Sequence, residues 1–378
     1  MLSIKNGSRG NLIVVLFLLF SIIIPFANSL MSYTASVVIT PIQWLSGWDK
    51  RVKITLDPTD VDAPLYDFPV LIHLSSSSGV NGDDVTFIFD ELQNDANRRK
   101  IAVTTDNKIS QCYVEIERWD TAIEQAWLWV KVPTVNDTAE TTIYLYYDED
   151  HADNTNYVGD PNSSVAENVW DSNFLAVHHM EEDPSATITD STGNNEDMTS
   201  TGGMTSSNLL DAKIGKGVNF DGINDAYISQ SSVAITQFAF SGWIRGDNFG
   251  AWRTVATIGE QRDMCLENGV LTFWANDQGF SFGSLLATGT WRQVTLTYDG
   301  TTLRGYVDGS FTGNSYIVSL NSYSGTLQFG RWLSNYDYYD GMLDEIRISN
   351  ITRSSEWIRA CYESGRDNFL DFGNEEIA

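Results

Sequence analysis

Positions 178–183 read HHMEED, so two of the chain's four histidines stand directly before three carboxylates. Residues of these types hold metal ions or pass protons, and their geometry decides which. On a strand, His178, Met180 and Glu182 share one face, while His179, Glu181 and Asp183 share the other. Adjacent histidines then point apart and cannot jointly grip one ion. A zinc hydrolase needs HExxH on a helix or another histidine in reach, and the remaining two, His73 and His151, lie well upstream. The stretch therefore reads first as a strand edge, then as a contributor to a calcium site, and last as catalytic. The chain has no Gly-rich phosphate loop, no GxSxG elbow and no Cys–His nucleophile signature.

A second cluster able to do chemistry is RWLSNYDYYDG at 331–341. Trp332, Tyr336, Tyr338 and Tyr339 crowd a polar loop with Asn335 and Asp337, and GDNFGAWRT adds Phe249 and Trp252 on another loop. Flat rings stack on the apolar faces of sugars while Asn and Asp bond their hydroxyls. The plainer reading makes Tyr339 the start of the last strand and Trp332 the end of the one before. Trp129, Trp243, Trp291 and Tyr306 sit at strand periods and read as core. So do Phe87 and Phe89, on one face of a strand DVTFIFD.

The elements that must position these residues are strands. Residues 1–29 come first, with Lys5 and Arg9 before an apolar run and Ala27 and Ser29 at the −3 and −1 positions, the layout of a signal peptide. Its removal leaves 349 residues, enough for two domains, and places them outside the cytoplasm as a secreted or cell-surface protein. No later stretch is apolar enough to span a membrane. The net charge of −27 argues against nucleic acid as a partner. From 44 to 147, period-2 segments such as RVKITLD, FPVLIHL and AWLWVKV predict a β-sandwich. Residues 148–169, polar and rich in Asp and Asn, read as a linker. From 170 to 378, eleven strand-like segments predict a two-sheet jelly roll, with SSEWIRACYES as one short helix capped by Ser354 or Ser355. The fold class is all-β, two tandem antiparallel sandwiches. Three cysteines form no framework; if a bridge exists, Cys265 with Cys361 is the expected pair.

Four motifs carry a resemblance. GKGVNFDGINDAYIS, FAFSGWIR, WRQVTLTYDGTTLRGYVDG and DGMLDEIRISN occur in the order found in the laminin-G-like, concanavalin A-like jelly-roll family. The first half, through GWDKRVKITLD, DFPVLIHL, CYVEIERWD and TTIYLYYDED, resembles a bacterial and archaeal surface family, the domain of unknown function 2341. The resemblance implies that an acid near the first strand approaches the Asp of the DE pair. That points to Glu182 and Asp344, with Asp190 as a third oxygen donor, for a structural calcium. Otherwise these acids bond turn and cap amides. Hydrolases on this fold carry ExDxxE on one strand face; here DEIRIS sets Asp344 and Glu345 on opposite faces and continues with Arg347. The expectation is a non-catalytic protein recognising glycans or cell-surface glycoproteins through Trp332, Tyr336, Tyr338, Asn335 and Trp252. The alternatives are a structural or adhesion component and, third, a glycoside hydrolase.

Overall fold

The computed structural model describes residues 43–250, 252–332 and 336–378; the leader 1–29 lies outside them. Among these residues no helix is long and apolar enough to cross a membrane. Val52, Ile54 and Leu56 alternate inward on the strand Lys50–Leu56, as its period-2 pattern requires. That strand lies between Leu370–Ile377 and Thr141–Tyr147, and the sheet continues to Ile101–Thr105 and Gln111–Cys112. A second sheet orders Leu65–Leu74, Gln125–Val135, Val114–Asp120 and Val158–Gly159, and the two enclose one apolar core.

Three expectations fail here. Residues 370–377, read as the end of the C-terminal domain, are an edge strand of the N-terminal sandwich, paired with Lys50–Leu56 from Lys50↔Ile377 to Leu56↔Leu370. DVTFIFD is not a strand: Phe87–Leu92 is a helix, because Val85, Ile88, Phe89 and Leu92 fall at i, i+3, i+4 and i+7 and all four are buried. The seven-residue window stopped short of Leu92, which completes the helical period. The supposed linker is packed structure. Val158, Ala166 and Val169 are buried, Asp160 pairs with Arg98 and Arg99, and His151 stacks on Trp48 with ring centroids 3.9 Å apart. Its polar groups find partners distant in sequence, and no local reading can see them.

The C-terminal sandwich has an eight-stranded sheet, running Thr187–Ile188, Met198–Thr201, Ala226–Ile235, Tyr323–Phe329, Trp252–Ile258, Arg262–Glu267, Val270–Ala275 and Gln278–Leu285. The opposing sheet runs Leu209–Asp211, Lys216–Asp221, Asp340–Ser349, Phe238–Gly246, Arg292–Tyr298, Thr302–Val307 and Ser310–Ile317, with Phe174–His178 also paired to Asp340–Ser349. The Phe174–His178 strand joins the two domains. Ala176 and Met180 enter the jelly-roll core, whereas Val177 packs into the core cluster that includes Val70 and Trp129 of the N-terminal sandwich. The helix Ser355–Gly365 is capped by Ser354, whose Oγ accepts from Trp357 N. It covers the free edge of Leu65–Leu74, where Ser364 Oγ accepts from Leu71 N at 2.9 Å. Cys112, Cys265 and Cys361 are all free thiols, so the expected Cys265–Cys361 bridge is not made. Cys265 lies in the eight-stranded sheet, and Cys361 on the helix beside the other domain.

Candidate functional site

On Arg262–Glu267, Met264 and Leu266 fill the core, so Asp263 and Cys265 face outward; on Val270–Ala275, Leu271 and Phe273 point in and Thr272 and Trp274 out. Trp252 leans across this outer face and meets Trp274 edge-to-face, 5.5 Å between centroids. Both rings lie beside Gly279, where an added Cβ would come within 3.5–3.6 Å of each. Beneath them Thr254 Oγ1 donates to Asp263 Oδ2 at 3.2 Å, while Asp263 Oδ1 is buried without a partner. Residues 336–338 run alongside: Thr254 N donates to Asp337 O at 2.8 Å and Arg253 Nη1 to Tyr338 O at 3.1 Å, while Trp332 Nε1 donates to Glu260 O at 3.2 Å.

Of the expected ring residues, Trp252 lies on this face, while Trp332 and Tyr338 are tied to neighbouring segments through Glu260 O and Arg253. Tyr336 is 64% exposed and is tied to Trp332 by a two-way backbone bridge. Asn335 lies outside the described residues. Tyr339 is fully buried, as the plainer reading had it. Sequence reading missed Asp263 and Trp274. The alternation in RDMCLE and VLTFWA was the available signal.

Burial pushes Asp263 up to about 8 from 3.8, and the Asp337 charge adds to the rise. A carboxyl whose folded pKa is raised binds its proton more tightly when folded, so stability falls as pH climbs between those two values. Asp263→Asn removes this dependence. Its urea midpoint is expected to gain on the parent's steadily from pH 5 to pH 8, and parallel profiles would refute the assignment.

The HHMEED stretch belongs to a different cluster, between the domains. His178 turns into the jelly roll against Phe329, 5.2 Å away, and burial lowers its pKa. His179 turns the other way, as alternation predicts. Its Nδ1 lies 2.5 Å from Glu345 Oε1 and 3.6 Å from Glu117 Oε2, and its Nε2 lies 3.4 Å from Glu115 Oε2. Glu115 and Glu117 come from the N-terminal strand Val114–Asp120, where the indole N–H groups of Trp170 and Trp129 each donate to one of them at 2.6 Å. Arg347 Nε donates to Glu345 Oε2 at 3.1 Å, with its guanidinium 4.1 Å from the Trp129 ring centroid. Although burial opposes its charge, three facing carboxylates, Glu345 foremost, raise His179 well above its ordinary value. His179 and Arg347 in turn hold Glu345 below its ordinary value against burial, whereas burial and the Glu345 charge push Glu117 up.

The sequence misread one element of this cluster. Asp344 and Glu345 do not face apart: the register shifts between Ser241 and Trp243, and Glu345 adopts φ 54°, a β-bulge that turns both carboxylates toward the N-terminal domain. Burial and the Glu345 and Glu117 charges raise Asp344 well above the usual carboxylate range. Glu115 and Glu117, at alternate positions in CYVEIERW, were not singled out, though two acids on one strand face were visible there.

Glu117, His179 and Glu345 are, among the described residues, the one group of three whose ligand atoms lie within 4.8 Å of one another. They fit a proton better than a metal ion. Ligands about 2.0–2.2 Å from a zinc ion stand roughly 3 Å or more apart, and His179 Nδ1 and Glu345 Oε1 are closer than that. Both imidazole nitrogens face carboxylates, which is what an imidazolium requires. The acids expected to bind calcium each accept from backbone amides, and Glu182 Oε2 and Asp344 Oδ1 are buried without a hydrogen-bond partner. Asp190 accepts from Val177 N, Thr192 N and Glu196 N, Glu182 from Thr189 N, and Asp344 from Ile214 N.

Residues 220–359 match the family model described as the concanavalin A-like lectin/glucanases superfamily. The C-terminal domain is a concanavalin A-like jelly roll. Residues 97–165 match the model of the domain of unknown function 2341, in the order the motifs gave. Among solved structures, domain 4 of AbnA, a GH43 extracellular arabinanase from Geobacillus stearothermophilus, in complex with arabinotriose, is 18% identical with a TM-score of 0.39, covering 49% of this chain and 96% of that one. The binding domain of Paraclostridial Mosquitocidal Protein 1 is 17% identical with a TM-score of 0.42, over 51% of this chain and 52% of that one. The botulinum neurotoxin serotype D binding domain is 16% identical with a TM-score of 0.39, over 50% and 51%. The chain spans about half the length of these two toxin domains. No curated protein sequence matches it. In the concanavalin A-like domain, the tryptophan-bearing outer face and the interdomain cluster lie on different sheets.

Proposed function

We propose that this is a non-catalytic binding protein, secreted or held at the cell surface, that recognises carbohydrate through the outer face of the eight-stranded sheet. One observation carries the reading: Trp252 and Trp274, half-buried and paired edge-to-face, lie on the same outward face as the buried, unpartnered oxygen of Asp263. Rings of this kind offer sugar C–H faces a flat apolar surface, and the one carboxyl oxygen left without a partner beside them can meet a hydroxyl. Trp332 and Tyr336 extend the aromatic surface along the neighbouring loop. The leader read at 1–29 supports action outside the cytoplasm, and the acidic surface disfavours nucleic acid. Binding to a panel of polysaccharides tests it. Saturable binding is expected, weakened about tenfold or more by Trp252→Ala or Trp274→Ala, a loss of roughly 1–3 kcal/mol per ring. No binding to any glycan by a folded protein would leave a structural or adhesion role.

A second reading has an observation of its own. The Asp337 charge acts on Asp263 at this face, and an acid pushed up by burial to about 8 stays protonated at neutral pH, as a glycosidic general acid must. Release of reducing ends, abolished by Asp263→Asn, would convert the binding protein into a hydrolase; binding without release keeps the first reading.

A further inference from the structure

Where the two domains meet there is a cleft of about 430 Å³, walled by the N-terminal strands on one side and by the turn 211–215 on the other. That volume falls within the about 300–1,000 Å³ of small-molecule sites. Its N-terminal wall is a cross-strand row, His73↔Trp127↔Arg118, with imidazole and indole stacked 5.0 Å apart and the guanidinium 5.5 Å from the indole centroid. Its acids are already committed. Asp367 accepts from Gly79 N at 3.0 Å and lies 2.9 Å from His73 Nδ1, and Asp211 pairs with Lys216 at 2.6 Å.

The uncommitted polar groups of the cleft are one ammonium donor, one imidazole nitrogen and one amide that can both donate and accept. Lys213 makes no hydrogen bond or ion pair among the described residues and rests 5.3 Å from the Trp243 ring centroid. His73 Nε2 is buried without a partner, and the Gln125 amide lines the same space. In a chain of net charge −27, a concavity that presents a lysine held in no direct ion pair, with Asp367 acting on it only at longer range, is a place for an anion. Leu71, Ile123 and Ile214 line the rest of the volume, which suits an organic acid with apolar faces better than a bare inorganic ion.

We infer that the interdomain cleft is a binding site for a carboxylate-bearing sugar, with Lys213 receiving the carboxylate and Gln125 and His73 bonding the ring hydroxyls. The choice of a sugar rests on the glycan-binding reading above; the site itself is separate from the outer face. Calorimetry on the full chain should use a galacturonic-acid tetramer, the neutral galactose tetramer and glutarate. The acidic tetramer is expected to bind and both others to bind at least about tenfold more weakly. Lys213→Gln should weaken the acidic tetramer by about tenfold or more, as expected for losing a charged hydrogen bond, with Gln125→Ala weakening it less and Trp252→Ala leaving it unchanged. Absence of binding, equal binding of the neutral tetramer or of glutarate, or unchanged binding by a folded Lys213→Gln protein would each overturn the site. Loss in Trp252→Ala with Lys213→Gln intact would move the ligand to the outer face.

Discussion

His179→Ala is expected to lower the unfolding free energy by about 3–5 kcal/mol, the usual cost of removing one partner from a buried charged network. The imidazole is 4% exposed and stands among Glu115, Glu117 and Glu345, so the variant leaves three carboxyl groups around a void, met among the described residues only by the indole N–H groups of Trp170 and Trp129 and by Arg347. A raised histidine pKa contributes stability that is fully present below its unfolded value of 6.5 and is lost as pH rises through the higher folded value. The penalty should therefore be complete at pH 6 and shrink only well above neutrality. Asp211→Asn is the contrast: it breaks the surface pair with Lys216, whose acid is 90% exposed, and exposed pairs contribute about 0–1 kcal/mol. Urea denaturation of the two variants decides the matter, and equal midpoints would mean that the interdomain cluster holds nothing together.

Deleting residues 370–378 is expected to unfold the N-terminal sandwich and spare the jelly roll. The deletion strips Leu370 and Phe372 from the core, each burial contributing about 1.5–3 kcal/mol, and leaves Lys50–Leu56 as an unpaired edge. It also removes Glu376, the carboxylate partner of the buried Arg51, and Glu375, which accepts from Tyr147 Oη at 2.9 Å. Such losses are comparable to the whole stability of a domain, about 5–15 kcal/mol. Hydrogen exchange reports each sheet separately. Protection of Val52–Leu56 should collapse while that of Phe238–Gly246 persists, and a truncated chain with intact protection in the first strand would contradict the pairing.

Much of this architecture is written locally. The alternation of Val52, Ile54 and Leu56, the splitting of His178 from His179, and the Ser354-capped helix follow from period and side-chain type alone. What sequence reading missed depends on partners far away in the chain. Residues 148–169 look solvated because Arg98 and Arg99, the counter-charges of Asp160, precede it by 62 and 61 positions. The bulge at Glu345 cannot be read from DEIRIS, since one residue in a left-handed conformation reverses the assignment of faces without changing the composition. At the candidate site, Trp332 and Tyr336 were legible as rings of one polar loop and Trp252 as a ring on another. Asp263 and Trp274 were hidden because an outward acid and an outward tryptophan resemble ordinary strand residues until a curved face gathers them.

The return of the last strand to the first sheet bears on how the molecule comes into being. Arg51 and Glu376, hydrogen-bonded neighbours in the finished sheet, are separated by 325 positions. As the chain emerges from its N-terminus, the first sandwich lacks an edge until the final residues appear, whereas every strand of the jelly roll is already available. Long-range pairings of this kind are slow, and the surfaces they leave open invite association. The jelly roll is thus, in the order of assembly, an insert that matures inside an unfinished host. A chain interrupted between Ser349, where the last jelly-roll strand ends, and residue 370 would carry every strand of the second domain on an incomplete first one.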